Sequence, residues 1–113
     1  MGFEVFVAHV ESGNGATKIV LSGELDMATV PILDEYLTRV ETDEVAEIVV
    51  DLREVTFIDT VGLRAFLAAR DRAEANGRQL VLTGAGPRVR RVFEITGFES
   101  LLVDQDVVTE PDA

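Results

Sequence analysis

The sequence predicts a one-domain α/β fold in which α-helices pack on a mixed, mostly parallel β-sheet that begins with an N-terminal β-hairpin. A length of 113 residues suits a single domain with its own core. Strand-like and helix-like apolar patterns alternate along the chain, which favours right-handed crossovers between parallel strands. Residues 48–50 form a β-branched run bounded by charge, typical of a strand buried on both faces. Val49, in the middle of that run, is therefore expected to be fully buried.

The hairpin is predicted from an apolar, β-rich segment at residues 3–10 and a turn-forming segment at residues 11–15. Ile19 and Leu21 then lie two positions apart, as they would on one face of a second strand. Residues 23–26 contain a glycine and two acidic residues, and they are expected to end that strand.

The first helix is predicted to begin soon after the hairpin, where Asp26 or Thr29 can accept hydrogen bonds from free backbone N–H groups. Pro31 is tolerated in a first helical turn. Helical spacing places four apolar residues on one face: Val30, Leu33, Leu37 and Val40. The acidic residues 41–44 are expected to link this helix to the central strand.

The second helix is predicted from Thr60 to Asn76. Leu63 and Phe66 have helical spacing, and a glycine follows Asn76 as a stop signal. Residues 79–83 are then predicted to form a short strand because they are bounded by polar residues and centred on aliphatic ones.

The third helix is predicted to start at Pro87 and to end at Gly97. Residues 101–103 are expected to form a last short strand, and residues 104–113 an acidic tail. The sequence thus predicts one domain that spans residues 1–113, with a core at about residues 3–103.

The composition excludes several classes of function. A formal net charge of −11 would repel nucleic-acid phosphates, so direct binding to nucleic acid is not expected. No apolar run approaches the roughly 20 residues of a membrane span, and no signal peptide is evident, so a cytoplasmic protein is expected. One histidine and no cysteine make a poor metal site, and no cofactor is expected.

No arrangement of residues in the sequence supports catalysis. It contains no cysteine, no Gly-x-Ser-x-Gly nucleophile elbow and no phosphate loop. The pair Gly84 and Gly86 does not make a dinucleotide loop, because Val89 stands where the third glycine should be. Asp59 follows a strand as in a phosphoryl-accepting receiver domain, but the lysine needed late in such a chain is missing, since Lys18 is the only lysine. We therefore predict a protein without enzymatic activity.

The functional hypothesis begins at residues 59–62, which follow a strand and start a helix; we call them the 59–62 turn. In open α/β sheets such an edge is the usual place for binding. Asp59 or Thr60 is expected to cap the helix. Gly62 has no Cβ, so a partner backbone could approach it closely, and Gly62→Arg is expected to block binding without unfolding the protein. With Asp26 at the neighbouring strand end, Asp59 would form an acidic lip for a partner's arginine or lysine.

Four segments of the sequence resemble the STAS domain of anti-sigma-factor antagonists. The segments are residues 21–26 (LSGELD), 50–52 (VDL), 55–63 (VTFIDTVGL) and 92–98 (VFEITGF). They occur in the family's order with similar spacing, so the resemblance covers about residues 3–103.

The resemblance implies a sheet flanked by three or four helices, in a protein that binds an anti-sigma factor with serine/threonine kinase activity. Binding releases a sigma factor and so regulates transcription, whereas phosphorylation of the antagonist reverses the binding. The family's acceptor hydroxyl stands second after the aspartate, where this chain has Val61, which leaves Thr60 as the candidate phosphoacceptor. Together, the chemistry of the turn and the resemblance make these the candidate partner-binding residues: Asp26, Asp59, Thr60, Val61 and Gly62. The chain is expected to be a monomer or a weak homodimer.

Two further interpretations stay open at this point. The chain could serve another signalling assembly as an interaction module, either a stressosome-like scaffold or a small-ligand sensor. On the third helix, Arg88, Arg90 and Arg91 form either a solvated face or a contact for phosphate or an acidic peptide.

Overall fold

The computed structural model describes residues 7–13, 15–41 and 45–103 of the chain. Its strands and helices follow one another in this order: β1 (Val7–Gly13), β2 (Ala16–Leu25), α1 (Val30–Val40), β3 (Glu47–Ile58), α2 (Thr60–Ala75), β4 (Gln79–Thr83), α3 (Pro87–Thr96) and β5 (Leu102–Val103). A single 3-10 turn, Glu99–Leu101, precedes β5. The expectations for residues 3–6, for most of the acidic link and for the acidic tail lie outside the described residues.

The strands form one sheet in the order β1-β2-β3-β4-β5. β1 pairs antiparallel with β2, and the remaining neighbours are parallel, which confirms the predicted hairpin and mixed sheet. Ile19, Val50 and Leu82 occupy one cross-strand row. These residues share a single buried cluster with side chains from all three helices, such as Leu37, Phe66 and Phe93. The helices therefore cover one face of the sheet. None of the described helices has the length and apolar content of a membrane span.

Val49 is half-buried, so the expectation that it would be fully buried is wrong. It lies in a cross-strand row with Lys18 and Val81, on the face of the sheet that no described helix covers. Its neighbours Ile48 and Val50 point to the helices and are fully buried. A β-branched run does not by itself reveal that a parallel strand has only one covered face.

The hairpin turn is shorter than predicted, because β1 extends through Gly13 and β2 begins at Ala16. β2 also continues to Leu25 instead of ending near Gly23. The backbone of Gly23 has a φ of 111°, and the register between β2 and β3 shifts beside it. Glycine thus allows a bulge here, and the strand bends rather than stops.

The remaining boundaries agree closely with the sequence. α2 ends at Ala75, one residue before the predicted end. α3 starts at Pro87 as expected, and Gly97 follows it in a left-handed conformation with a φ of 84°. The last strand starts one residue late, because Leu101 closes the 3-10 turn.

Asp51 is a buried carboxylate on β3 whose side chain is only 3% exposed. It accepts hydrogen bonds from the Arg53 guanidinium, the shortest at 2.8 Å, and from the Arg53 backbone N–H at 3.0 Å. Lys18 Nζ lies 3.5 Å from Asp51 Oδ2, the oxygen that also accepts the shortest Arg53 hydrogen bond. Burial tends to raise the pKa of Asp51, but the Arg53 hydrogen bonds and the two positive charges outweigh it and hold the pKa below its ordinary value.

We expect Asp51→Asn to lower the free energy of unfolding at neutral pH by about 1–2 kcal/mol, the lower part of the range for charged hydrogen bonds, because both cations are partly solvated. The pKa of Asp51 is lower in the folded state, so its contribution is complete above the unfolded-state value of 3.8 and disappears as the pH falls through the folded-state value. Urea unfolding between pH 2 and 7 would measure this dependence.

Glu54→Gln is the matched control, since it neutralises an exposed carboxylate on the same strand. It should have little effect at any pH. If the difference between wild type and Asp51→Asn stayed constant down to pH 2, the charge of Asp51 would not be the stabilising feature.

Candidate functional site

The candidate site lies at the edge of the sheet where β2 and β3 both end. Leu25 and Ile58 are register partners at the ends of these parallel strands, and Asp26 and Asp59 follow them directly. The Asp59 backbone N–H donates to the Leu25 carbonyl at 3.2 Å, which ties the two turns together. The structure thus places the two predicted carboxylate residues at neighbouring strand ends.

Asp59 is the N-cap of α2. One of its carboxylate oxygens, Oδ1, accepts hydrogen bonds from the backbone N–H groups of Val61 at 2.9 Å and Gly62 at 3.2 Å. These bonds satisfy donors that the start of a helix leaves free. Thr60 is the first residue of the helix, and its side chain is exposed. Of the two predicted capping residues, Asp59 has the role.

Asp26 organises the turn before α1 in a similar way. Its Oδ1 accepts from the backbone N–H groups of Ala28 at 3.0 Å and Thr29 at 3.1 Å. Thr29 occupies the N-cap position but makes no side-chain cap bond to the helix. Its hydroxyl instead donates to the Glu24 carbonyl at 2.6 Å and accepts from the Asp26 N–H at 3.0 Å. Thr29 therefore holds the predicted N-cap position without the predicted side-chain bond to the helix, whereas Asp26 accepts backbone hydrogen bonds as predicted, but within the turn that precedes α1.

The two carboxylates share a geometry that suits binding. In each, Oδ1 is held by backbone N–H groups, while Oδ2 has no hydrogen bond within the described part of the chain. The side chains are therefore oriented before any partner arrives, with one acceptor atom still available. Such preorganisation reduces the entropy lost when a charge-assisted hydrogen bond forms.

Gly62 is buried and does not face solvent. A Cβ on Gly62 would lie 3.0 Å from the Ile58 side chain and 3.2 Å from both the Cβ and the carbonyl oxygen of Leu25. The expectation that a partner backbone approaches Gly62 is wrong, because the end of β2 already occupies that space. Gly62→Arg would consequently disturb the fold, and it is not a clean probe of binding.

Several apolar side chains are exposed around the two carboxylates. Met27 is 73% exposed, Phe57 46% and Val61 38%. Of these, the sequence pointed only to Val61. Phe57 could have been found from strand alternation, since the next residue, Ile58, is buried. Met27 had a weaker signal, a large apolar side chain in the turn before α1. We call the six residues Asp26, Met27, Phe57, Asp59, Thr60 and Val61 the edge surface.

The three arginines of α3 lie outside the edge surface, although Arg88, at the start of α3, lines a shallow pocket with Val55 and Thr56 of β3. Arg88 and Arg91 are exposed and Arg90 is half-buried, while Val89 and Phe93 turn into the core. Within the described residues, none of the three arginines forms a salt bridge. This arrangement favours the solvated face over a built anion site.

Known proteins share both the sequence pattern and the fold. Residues 8–110 match the model of the STAS domain family. An anti-sigma-B factor antagonist of Staphylococcus aureus is 36% identical over 85 residues, which cover 75% of this chain and 79% of that protein. A crystal structure of an anti-sigma factor antagonist from Mycobacterium paratuberculosis is 28% identical, with a TM-score of 0.81 over 93% of this chain and 92% of that one. The phosphorylated form of SpoIIAA, a Bacillus cell fate determinant, has the same fold at 21% identity, with a TM-score of 0.69 over 90% and 96% of the two chains.

We expect Gly62→Ala to lower the free energy of unfolding by about 1 kcal/mol or more. Alanine normally favours a helix over glycine by a similar amount, but here its Cβ would press on the Ile58 side chain and on the Cβ and carbonyl oxygen of Leu25, a residue that strand pairing holds in place. Urea unfolding would measure the effect. Gly13→Ala is the matched control, because a Cβ there meets nothing within 4 Å. A Gly62→Ala protein as stable as wild type would show that the strand end can move.

Proposed function

Because this chain belongs to the STAS domain family and has anti-sigma factor antagonists among its relatives, we propose that it binds an anti-sigma factor of the serine/threonine-kinase type and thereby releases a sigma factor. It acts as a regulator of transcription, without enzymatic activity of its own. The observation that carries this proposal is the edge surface, where two oriented carboxylates stand among exposed apolar side chains.

The edge surface has the composition of a small protein-binding patch. Met27, Phe57 and Val61 supply apolar area that a partner can remove from water. The free oxygens of Asp26 and Asp59 can accept hydrogen bonds from an arginine or lysine of the partner. Charge pairs of this kind add specificity and speed association, and their effect weakens as salt rises.

The phosphorylation switch of the family would be altered in this chain. Val61 stands at the family's acceptor position and has no hydroxyl, and Thr60 precedes it by one residue. A phosphate on Thr60 would carry roughly −1.5 to −2 charges beside Asp59. The backbone N–H groups of Val61 and Gly62 already donate to Asp59, so they are not available to neutralise that charge. We therefore favour a protein that remains in its binding-competent form.

The double variant Asp26→Asn/Asp59→Asn tests the edge surface. Asparagine keeps an oxygen that can accept the backbone hydrogen bonds but removes the charge, so the fold should persist. Affinity capture would identify the anti-sigma factor, and calorimetry with the purified partner would measure Kd. We expect at least a tenfold weaker Kd, about 1.4 kcal/mol.

Asp71→Asn is the matched control for this experiment. It removes an exposed carboxylate on α2, outside the edge surface, and should leave Kd within about twofold, as for most exposed charges. Unchanged affinity of the double variant would assign binding to another surface. Failure of wild type to bind any anti-sigma factor of its organism would overturn the proposed function.

Val61→Ser tests the altered switch. Val61 is 38% exposed, so serine can replace it without opening a large cavity, and it restores a hydroxyl at the family's acceptor position. We expect the purified anti-sigma factor with ATP to phosphorylate this variant at least tenfold faster than wild type, as measured by mass spectrometry. Val61→Ala is the control and should not gain phosphate. Rapid phosphorylation of wild type on Thr60 would show that the switch has moved by one residue.

A further inference from the structure

A groove of about 460 Å³ runs between α1 and α2 on the outer side of the helix layer. Its walls carry residues from both helices: Val30 and Asp34 from α1, and Val61, Arg64, Ala68 and Arg72 from α2. Ala68 is exposed and small, so it leaves the middle of the groove open. Nothing in the sequence patterns pointed to this groove, because each helix contributes only part of it.

The groove is continuous with the edge surface. Val61 belongs to both, because it lies in the first turn of α2 at the edge of the sheet and also lines the groove. A partner that covers Val61 therefore lies at the mouth of the groove. Its next contacts along α2 would be with Arg64 and Ala68, one and two helical turns further on.

The charged residues that line the groove differ in whether they form a salt bridge within the described residues. Arg72 forms a bidentate pair with Glu41, with a shortest distance of 2.8 Å. That hydrogen bond raises the pKa of Arg72 above its usual value, and the charge of Asp34 acts in the same direction. Arg64 is exposed and has no salt bridge within the described residues. Asp34, on the α1 side of the groove, has no salt bridge within those residues either, so the groove presents one unpaired charge of each sign.

We propose that this groove receives an amphipathic helix of the anti-sigma factor, with an apolar side chain over Ala68 and a carboxylate against Arg64. The inference rests on the proposed function and extends the contact from the edge surface along α2. A groove between two packed helices accepts the side-chain ridge of a third helix. A small-molecule site would be more enclosed and more apolar than this one, which is open and lined by three charged residues.

The test uses the full chain and the purified anti-sigma factor of its organism, with Kd measured by calorimetry. Ala68→Glu fills the groove and places a negative charge near the proposed carboxylate, so we expect at least a tenfold weaker Kd. Arg64→Glu should weaken binding by a similar factor, and the loss should shrink at high salt. Ala75→Glu is the matched control, because Ala75 is exposed on α2 outside the groove. Its Kd should stay within twofold of wild type.

The outcomes separate this inference from the proposed function. If both groove variants bind as wild type does while Asp26→Asn/Asp59→Asn binds weakly, the groove inference is overturned and the function stands. If wild type binds no anti-sigma factor, both are overturned. If Ala68→Glu changes the sedimentation of the protein alone and leaves Kd unchanged, the groove belongs to a second copy of this chain, and the inference is again overturned.

Discussion

The candidate site depends on how closely the start of α2 rests on the end of β2. Gly62 leaves no room for a Cβ between itself and Leu25, and the Asp59 N–H bonds to the Leu25 carbonyl. These contacts bring two turns, far apart in sequence, to one edge of the sheet. The neighbouring positions of the two carboxylates and the start of the groove between α1 and α2 both follow from that placement.

Much of this arrangement could be predicted from the sequence, because periodicity and stop signals specify the elements and parallel strands share an edge. The order of strands and helices and the neighbouring positions of Asp26 and Asp59 both follow from those rules. The errors have a common cause. In each case the environment of the residue was set by its neighbours in the fold. Val49 lies on the uncovered face of the sheet, Gly23 lies at a bulge between strands, and Gly62 lies in a tight contact between a helix and a strand end. Local sequence carries little information about such neighbours.

Asp59 has a structural task and a proposed binding task at once. As the cap of α2 it supports the fold, and as an oriented acceptor it would meet the partner. The two tasks use different oxygens of the same carboxylate, so they do not compete. Asp26 divides its oxygens in the same manner. This division explains why removing the whole side chain would confuse loss of folding with loss of binding, whereas an amide replacement separates them.

Val61 changes how a cell could control such a protein. Where an antagonist carries a hydroxyl at the family's acceptor position, phosphorylation by the kinase would silence molecules that already exist. A chain with valine there would escape that control. Its influence would then follow its abundance, so that gene expression and proteolysis, rather than ATP consumption, would set the threshold of the response. A protein of this kind would titrate its partner in proportion to its own concentration. Such control suits slow changes in gene expression better than rapid, reversible responses.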